Sequence, residues 1–148
     1  MSFENYIKNT KGLTLIELLA VIVILGIIAG IAVPTFSTII ENTKRDAHIA
    51  NAIQIAQSAK MYISGEQIEI TEDGENFDLG FLIANGYLDP VRDPSSNSNY
   101  DQSSYVKIKK VEENFLYYVK LISKEEGKIY VEDSIEVSSL TREDINIP

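Results

Sequence analysis

A single histidine, His48, and the absence of cysteine bound the chemistry open to this 148-residue chain. Without Cys there is no disulfide, no thiol nucleophile and no thiolate zinc site. One His leaves room for one Ser-His-Asp arrangement and excludes a site built from several imidazoles. Oxygen side chains are plentiful: 22 Asp and Glu against 13 Lys and Arg give a net charge of −9. That balance argues against a general phosphate-backbone binder, whose affinity comes from Lys and Arg. The carboxylates permit a glycosidase pair by number, but no spacing singles one out. Two local patterns do have a spacing. Asp93, Ser95, Asn97, Asn99 and Asp101 place an oxygen side chain at every second position, and hard oxygen ligands of this kind suit calcium. The string lacks the glycine and terminal Glu of an EF-hand, so it reads as a polar surface loop with no metal. Lys107, Lys109 and Lys110 beside Tyr105 form the only basic cluster. On a strand they could touch DNA, although the surrounding acids favour a solvated face. His48 falls on an amphipathic helical pattern and is expected at its surface or in a groove. No cofactor is expected.

The most unusual carboxylate is Glu17, which stands at the edge of a greasy run. Leu18 to Ile40 is 23 residues without a charge, 17 of them apolar. As a helix it would be roughly 35 Å long, enough to cross a bilayer core of about 30 Å. A buried core helix does not fit, because it would be apolar all round inside a small protein. A cleaved secretory signal is one alternative: Lys8 and Lys11 precede the run, and Gly30-Ile31-Ala32 is a small-x-small site. A retained membrane helix fits the length best, with Glu17 as the anomaly, since an unpaired charge near hydrocarbon is costly. Lys8 and Lys11 against Glu4 keep the short N-terminal end in the cytoplasm and send the acidic bulk outward.

These residues must be positioned by few elements. The helical pattern continues past the apolar run, with Ile49, Ala52, Ile53, Ala56, Ala59 and Ile63 three or four apart. Gly65 is the expected stop. One helix is therefore expected from about Thr14 to Ser64, apolar all round in its first half and amphipathic in its second. Gly26, Gly30 and Pro34 interrupt the apolar half. Pro34 removes a backbone donor, so a kink or local melting is expected there; Gly26 and Gly30 form a G-x-x-x-G pair that allows close helix approach in lipid. Glu72-Asp73-Gly74-Glu75-Asn76 reads as a turn, Asp78–Asn85 as a short helix closed by Gly86, and Pro94–Ser104 as an exposed loop. From Tyr105 the period switches to two. Tyr105–Lys109, Phe115–Ile122, Lys128–Val131 and a further Ser134–Val137 read as an antiparallel meander of three or four strands. Its inner face should bury Val106, Ile108, Leu116 or Tyr117, and Ile129 or Val131. The fold class is α+β: a long N-terminal helix packed on a small antiparallel sheet head.

Lys11-Gly12-Leu13-Thr14-Leu15-Ile16-Glu17-Leu18-Leu19 is the most specific string in the chain. It resembles the processing site of type IV prepilins and pseudopilins: a short basic leader ending in Gly, an apolar residue, Thr, two apolar residues, Glu and a long apolar helix. Pro34 lies where these proteins often carry a helix-breaking proline. In the head, Gly86-Tyr87-Leu88, Asp93-Pro94 and Asn99-Tyr100 look like a loosely shared loop pattern. The resemblance implies a pilin-like fold and a leader, residues 1–12, cut between Gly12 and Leu13 by a prepilin peptidase. It implies N-methylation of Leu13, where relatives usually carry Phe. Residues 13–64 then form the helix, membrane-spanning over 13–40 and amphipathic over 41–64, and residues 65–148 the head.

The implied function is a structural subunit of a type IV pilus or pilus-like filament, with no catalytic site. The subunit would be single-pass in the cytoplasmic membrane and then part of an extracellular helical homo-oligomer. Its partners would be the peptidase, an assembly platform with its ATPase, and DNA in some filaments. Glu17 and Thr14 are the implied assembly residues, Glu17 pairing with the freed amine of Leu13 in an adjacent subunit. Gly26, Gly30 and Pro34 are the implied point of helix melting. Two other readings share the apolar run: a secreted binding protein cleaved after Ala32, and a membrane-anchored enzyme acting on surface polymers. The mature N-terminus separates the first of these from the pilin reading.

Overall fold

The computed structural model describes residues 14–147. Gly12 and Leu13, and with them the expected leader and cleavage point, lie outside the described residues. The chain divides into two compact units between Ile39 and Ile40. One helix, α1 (Leu15–Gly65), contributes to both.

In the first unit, α1 has no protein cover among the described residues. Fifteen large apolar side chains from Leu15 to Ile39 stand between 48% and 87% exposed. Covering them is worth on the order of 20 kcal/mol, and the helix is long and apolar enough to cross a membrane. Pro34 lies inside the helix, which stays continuous around it in the single chain. Three hydroxyls bond carbonyls one turn back: Thr35 to Ile31 (3.1 Å), Ser37 to Val33 (3.3 Å) and Thr38 to Pro34 (3.3 Å). Such bonds keep side-chain polar groups satisfied where water is absent.

In the second unit, α1 buries His48, Ala52, Ile55, Ala56, Ala59 and Ile63. This corrects the expected stripe at one position. The seam steps 48-52-55-59-63, so Ile55 is fully buried, while Ile53, about 100° around the helix from Ala52, is 39% exposed. Ala52, Ala56 and Ala59 are buried on this face. The sheet has four strands in the order β1-β2-β3-β4, every neighbour antiparallel. They are β1 (Glu75–Asp78), β2 (Tyr105–Val111), β3 (Asn114–Ile122) and β4 (Ile129–Val131). Val106 pairs with Val119 and Ile108 with Tyr117, putting Val106, Ile108, Val119 and Leu121 against the helix. Of the expected alternatives, Tyr117 rather than Leu116 packs on the core, and β4 contributes Val131 with Tyr130.

The arrangement is the expected α+β helix on an antiparallel sheet, but one strand changes identity. The expected turn at 72–76 is confined to the residues around Gly74, whose φ is +84°, and the chain enters β1 at Glu75. The expected strand Ser134–Val137 is instead a turn with a single bridge, Tyr118 to Glu136, followed by a 3-10 turn at Val137–Ser139. The short helix is present as α2 (Leu79–Ala84), closed by Gly86 at φ +75°. The loop after Pro94 is less exposed than expected, because Tyr100 and Ser104 turn into the core.

Candidate functional site

Thr14 and Glu17 meet at the start of α1. The Thr14 N–H donates to Glu17 Oε2 at 2.7 Å, the Thr14 hydroxyl donates to the same oxygen at 2.8 Å, and the Glu17 N–H donates back to Thr14 Oγ1 at 3.3 Å. This is a capping box, in which residues three apart satisfy each other's orphan donors at a helix N-terminus. Its T-x-x-E pattern stood in the sequence, yet Glu17 there was read only as an anomalous charge awaiting a partner. The geometry adds that Oε2 is engaged and aimed, while Oε1 accepts no bond among the described residues. One carboxylate oxygen thus fixes the orientation of the group. Further along α1, Gly26 and Gly30 face open space: a Cβ added at either would meet nothing within 4 Å. Each leaves a notch in the apolar surface where a second backbone can come close.

The head gathers a polar network that the sequence reading missed. His48 is fully buried, which overturns its expected surface position. Its Nδ1 lies 2.6 Å from the Tyr100 hydroxyl and its Nε2 lies 2.9 Å from Ser95 Oγ. Asn51 donates to the Tyr100 oxygen at 3.2 Å. The two ring nitrogens thus hold the imidazole between Tyr100 and Ser95, with donor and acceptor set by the tautomer. Buried Asp93 lies 3.9 Å away on the same Nε2 side and makes no full ion pair. Burial pushes the His48 pKa down to about 4, opposed by Asp93 and reinforced by Lys44. Burial likewise raises the Tyr100 hydroxyl.

This arrangement tests the one Ser-His-Asp constellation the composition allowed. Catalysis needs an unprotonated nitrogen at the serine and the carboxylate at the opposite nitrogen. Here the serine and the aspartate stand at the same nitrogen, Nε2, and the opposite one faces Tyr100. The network is therefore structural: it ties α1 to the 91–100 loop, with Tyr130 of β4 stacked 4.4 Å from the imidazole.

The alternating oxygen ladder is also split by the fold. Asp93 Oδ1 accepts the Ser95 N–H at 2.8 Å, Asp101 Oδ1 accepts the Ser103 N–H at 2.9 Å, and Asn97 and Asn99 are exposed. Asp101 is held below the usual carboxylate range by its Ser103 hydrogen bonds. The ladder's side chains close their own turns rather than converge, and among the described residues no three His, Asp or Glu side chains gather to hold a metal. A second unanticipated feature ties down the chain end. Arg142 grips Asp46 of α1 with two bonds of 2.6 Å, lowering the Asp46 pKa, and Arg45 donates to the Arg142 carbonyl at 2.9 Å. Lys107 and Lys109 of β2 occupy the sheet face turned away from α1: Lys109 Nζ stands 5.9 Å from the Tyr118 ring centroid.

Comparison with known proteins bears on the first of these sites. The family model described as the Prokaryotic N-terminal methylation motif matches residues 7–33, a span containing Gly12, Leu13, Thr14, Glu17, Gly26 and Gly30. The chain is 28% identical over 101 residues to the type II secretion system core protein G of Dickeya chrysanthemi, a match covering 68% of this chain and 60% of the relative's length. No solved structure matches.

Proposed function

We propose that this chain, pilin-like in its N-terminal motif and in its helix-on-sheet fold, is a structural subunit of a pilus-like filament. The observation that carries the proposal is the pairing of a capped carboxylate, Glu17, with an apolar helix left exposed among the described residues.

The physical argument runs from membrane to filament. Before assembly, lipid covers residues 15–39, with the N-terminus inside and the head outside as the charge bias requires. A prepilin peptidase cuts between Gly12 and Leu13, removing residues 1–12, and Leu13 becomes a methylated N-terminus. Moving α1 from lipid into a bundle of other helices gains little from apolar burial, since lipid tails are as apolar as leucine. Small and polar groups must then decide the packing. Glu17 Oε1 accepts the Leu13 ammonium of an adjacent subunit. A subunit docked one step out of register leaves both charges unpaired in a water-poor core, so the pair selects register as well as partner. The notches at Gly26 and Gly30 admit neighbouring backbones. With Pro34, they mark where the helix melts to lengthen the packed stalk. An ATPase and a membrane platform supply the work of extraction, because nothing in this chain carries out energy-yielding chemistry on this reading.

The test is the mature N-terminus and the Glu17→Ala variant. Mass spectrometry of protein from expressing cells should find a chain starting at Leu13 with an added methyl. The variant should be processed and membrane-bound but absent from sheared filaments. A chain starting at Val33 would make this a secreted protein, and wild-type filament yield from Glu17→Ala would refute the role of the carboxylate.

A further inference from the structure

The outward face of the sheet carries a charge pattern that the subunit leaves incomplete. Lys107 and Lys109 are two apart on β2 and so project to one face, and Lys107 pairs in register with Tyr118 of β3. With Asp133 and Ser134 they line a concavity of about 210 Å³. Two other pairs on this face are engaged within the chain, and Asp78 of β1 stands in register with Tyr105. Tyr105 donates to Asp133 at 2.9 Å, and Lys120 stands 3.7 Å from Glu132. Lys107 and Lys109 have no carboxylate within ion-pair distance among the described residues, in a chain whose net charge is −9. The complementary feature is the stretch Glu66 to Glu75, with five carboxylates and no base. Its Glu69, Glu72 and Asp73 are exposed and equally without an ion pair among the described residues. The turn lies beside β2 in the same subunit, where the Lys110 N–H donates to the Thr71 carbonyl at 3.4 Å, yet the two charge sets do not close on each other.

We propose that the Lys107–Lys109–Tyr118 concavity receives the acidic turn Glu69–Asp73 of a second copy of this chain. The inference rests on the filament reading above. Two different patches of one chain can meet in a head-to-tail contact, and a head-to-tail contact whose rotation does not close propagates as a helical polymer. A free polyanion approaching this face meets the repulsion of a strongly acidic protein. A second copy is held next to it by the packed apolar helices, which makes the contact effectively intramolecular. The strip therefore favours a neighbouring subunit over a nucleic acid.

The experiment uses the full chain expressed in cells that assemble it, with filaments sheared and quantified at low ionic strength. Lys107→Glu/Lys109→Glu should reduce filament yield roughly fivefold or more, from two reversed surface ion pairs repeated along the polymer. Adding Glu72→Lys/Asp73→Lys to the same chain should restore the yield. The neutral pair Lys107→Gln/Lys109→Gln should show a smaller loss, and tyrosine near-ultraviolet circular dichroism of the detergent-extracted subunit should be unchanged in it. Unchanged yield from the charge reversal, or a loss that the swap does not rescue, overturns the inference and leaves the filament reading intact. So does capture of a labelled single-stranded oligonucleotide by wild-type filaments that the neutral pair abolishes without altering yield. Absence of any wild-type filament removes both.

Discussion

Protonating His48 should unfold the head from the inside. The ring is fully buried, hydrogen-bonded to Ser95 and Tyr100, and packed on Tyr130. The charged groups facing it are Asp93 and Lys44. In the folded chain it stays neutral down to about pH 4, whereas the unfolded chain takes up a proton near 6.5. A depressed histidine pKa means that the unfolded state binds more protons between these values, so stability falls as pH falls. The contribution is full above pH 6.5 and is gone below about pH 4. The interval corresponds to about 3 kcal/mol, at roughly 1.4 kcal/mol per pH unit.

Urea unfolding of the full chain in detergent micelles, followed by tyrosine signals at pH 7, 6, 5 and 4, measures it. Asp46, Asp101 and Asp144 also weaken the fold on acidification, because their hydrogen bonds with Arg142, Ser103 and Thr141 hold their pKa values low. The informative quantity is thus the difference between wild type and His48→Gln. The variant should be less stable at pH 7, with Tyr100 and Ser95 losing a partner, and its deficit should shrink toward pH 4. As the chain has one His, its ring-proton signal in a nuclear magnetic resonance titration is unambiguous. A folded-state midpoint near 6.5, or parallel stability curves for the two proteins, would refute the reasoning.

Gly74→Ala should cost about 1–3 kcal/mol and lower the urea midpoint, since φ is +84° and the new Cβ would stand 2.9 Å from the Ile108 carbonyl oxygen. Arg142→Ala should leave the urea midpoint close to wild type, because the Asp46 pair is exposed. It should nevertheless speed hydrogen exchange at the Asn146 amide, which bonds the Tyr130 carbonyl at 2.9 Å.

What was legible in the sequence follows from how local each signal is. The helix through Gly65 and the β2–β3 pairing are written in long periodic runs, and the structure has them nearly residue for residue. Strand β1 was hidden because it is four residues long with only Phe77 buried, so no alternation exists to detect. His48 was misplaced for a different reason. A lone polar residue on an apolar stripe is stable inside only if distant residues satisfy both its nitrogens. Those partners, Ser95 and Tyr100, come from 47 and 52 residues away. The oxygen ladder shows the converse: spacing of two suggested convergence, while short-range Asx bonds at Asp93 and Asp101 had already claimed the side chains. At the helix start, the capping box was readable from Thr14 and Glu17 alone.

That capping box leads to a last prediction, about how Glu17 can be ready to pair. A carboxylate swinging freely at the membrane surface must lose its rotamer freedom when it docks. One already held by Thr14 through Oε2 has lost that freedom beforehand, so docking adds a contact at Oε1 with little further ordering. Thr14→Ala removes the hydroxyl bond and the return bond from the Glu17 N–H, at a cap cost of about 0.5–2 kcal/mol. Thr14→Ser keeps both. Cleavage after Gly12 should proceed in each variant, since it precedes assembly. Filament yield should fall several-fold for Thr14→Ala, stay near wild type for Thr14→Ser, and remain above that of Glu17→Ala, where the charge itself is gone. Equal yields from the alanine and serine variants would mean that the cap does not prepare the carboxylate, and that docking of Glu17 owes nothing to its geometry in the free subunit.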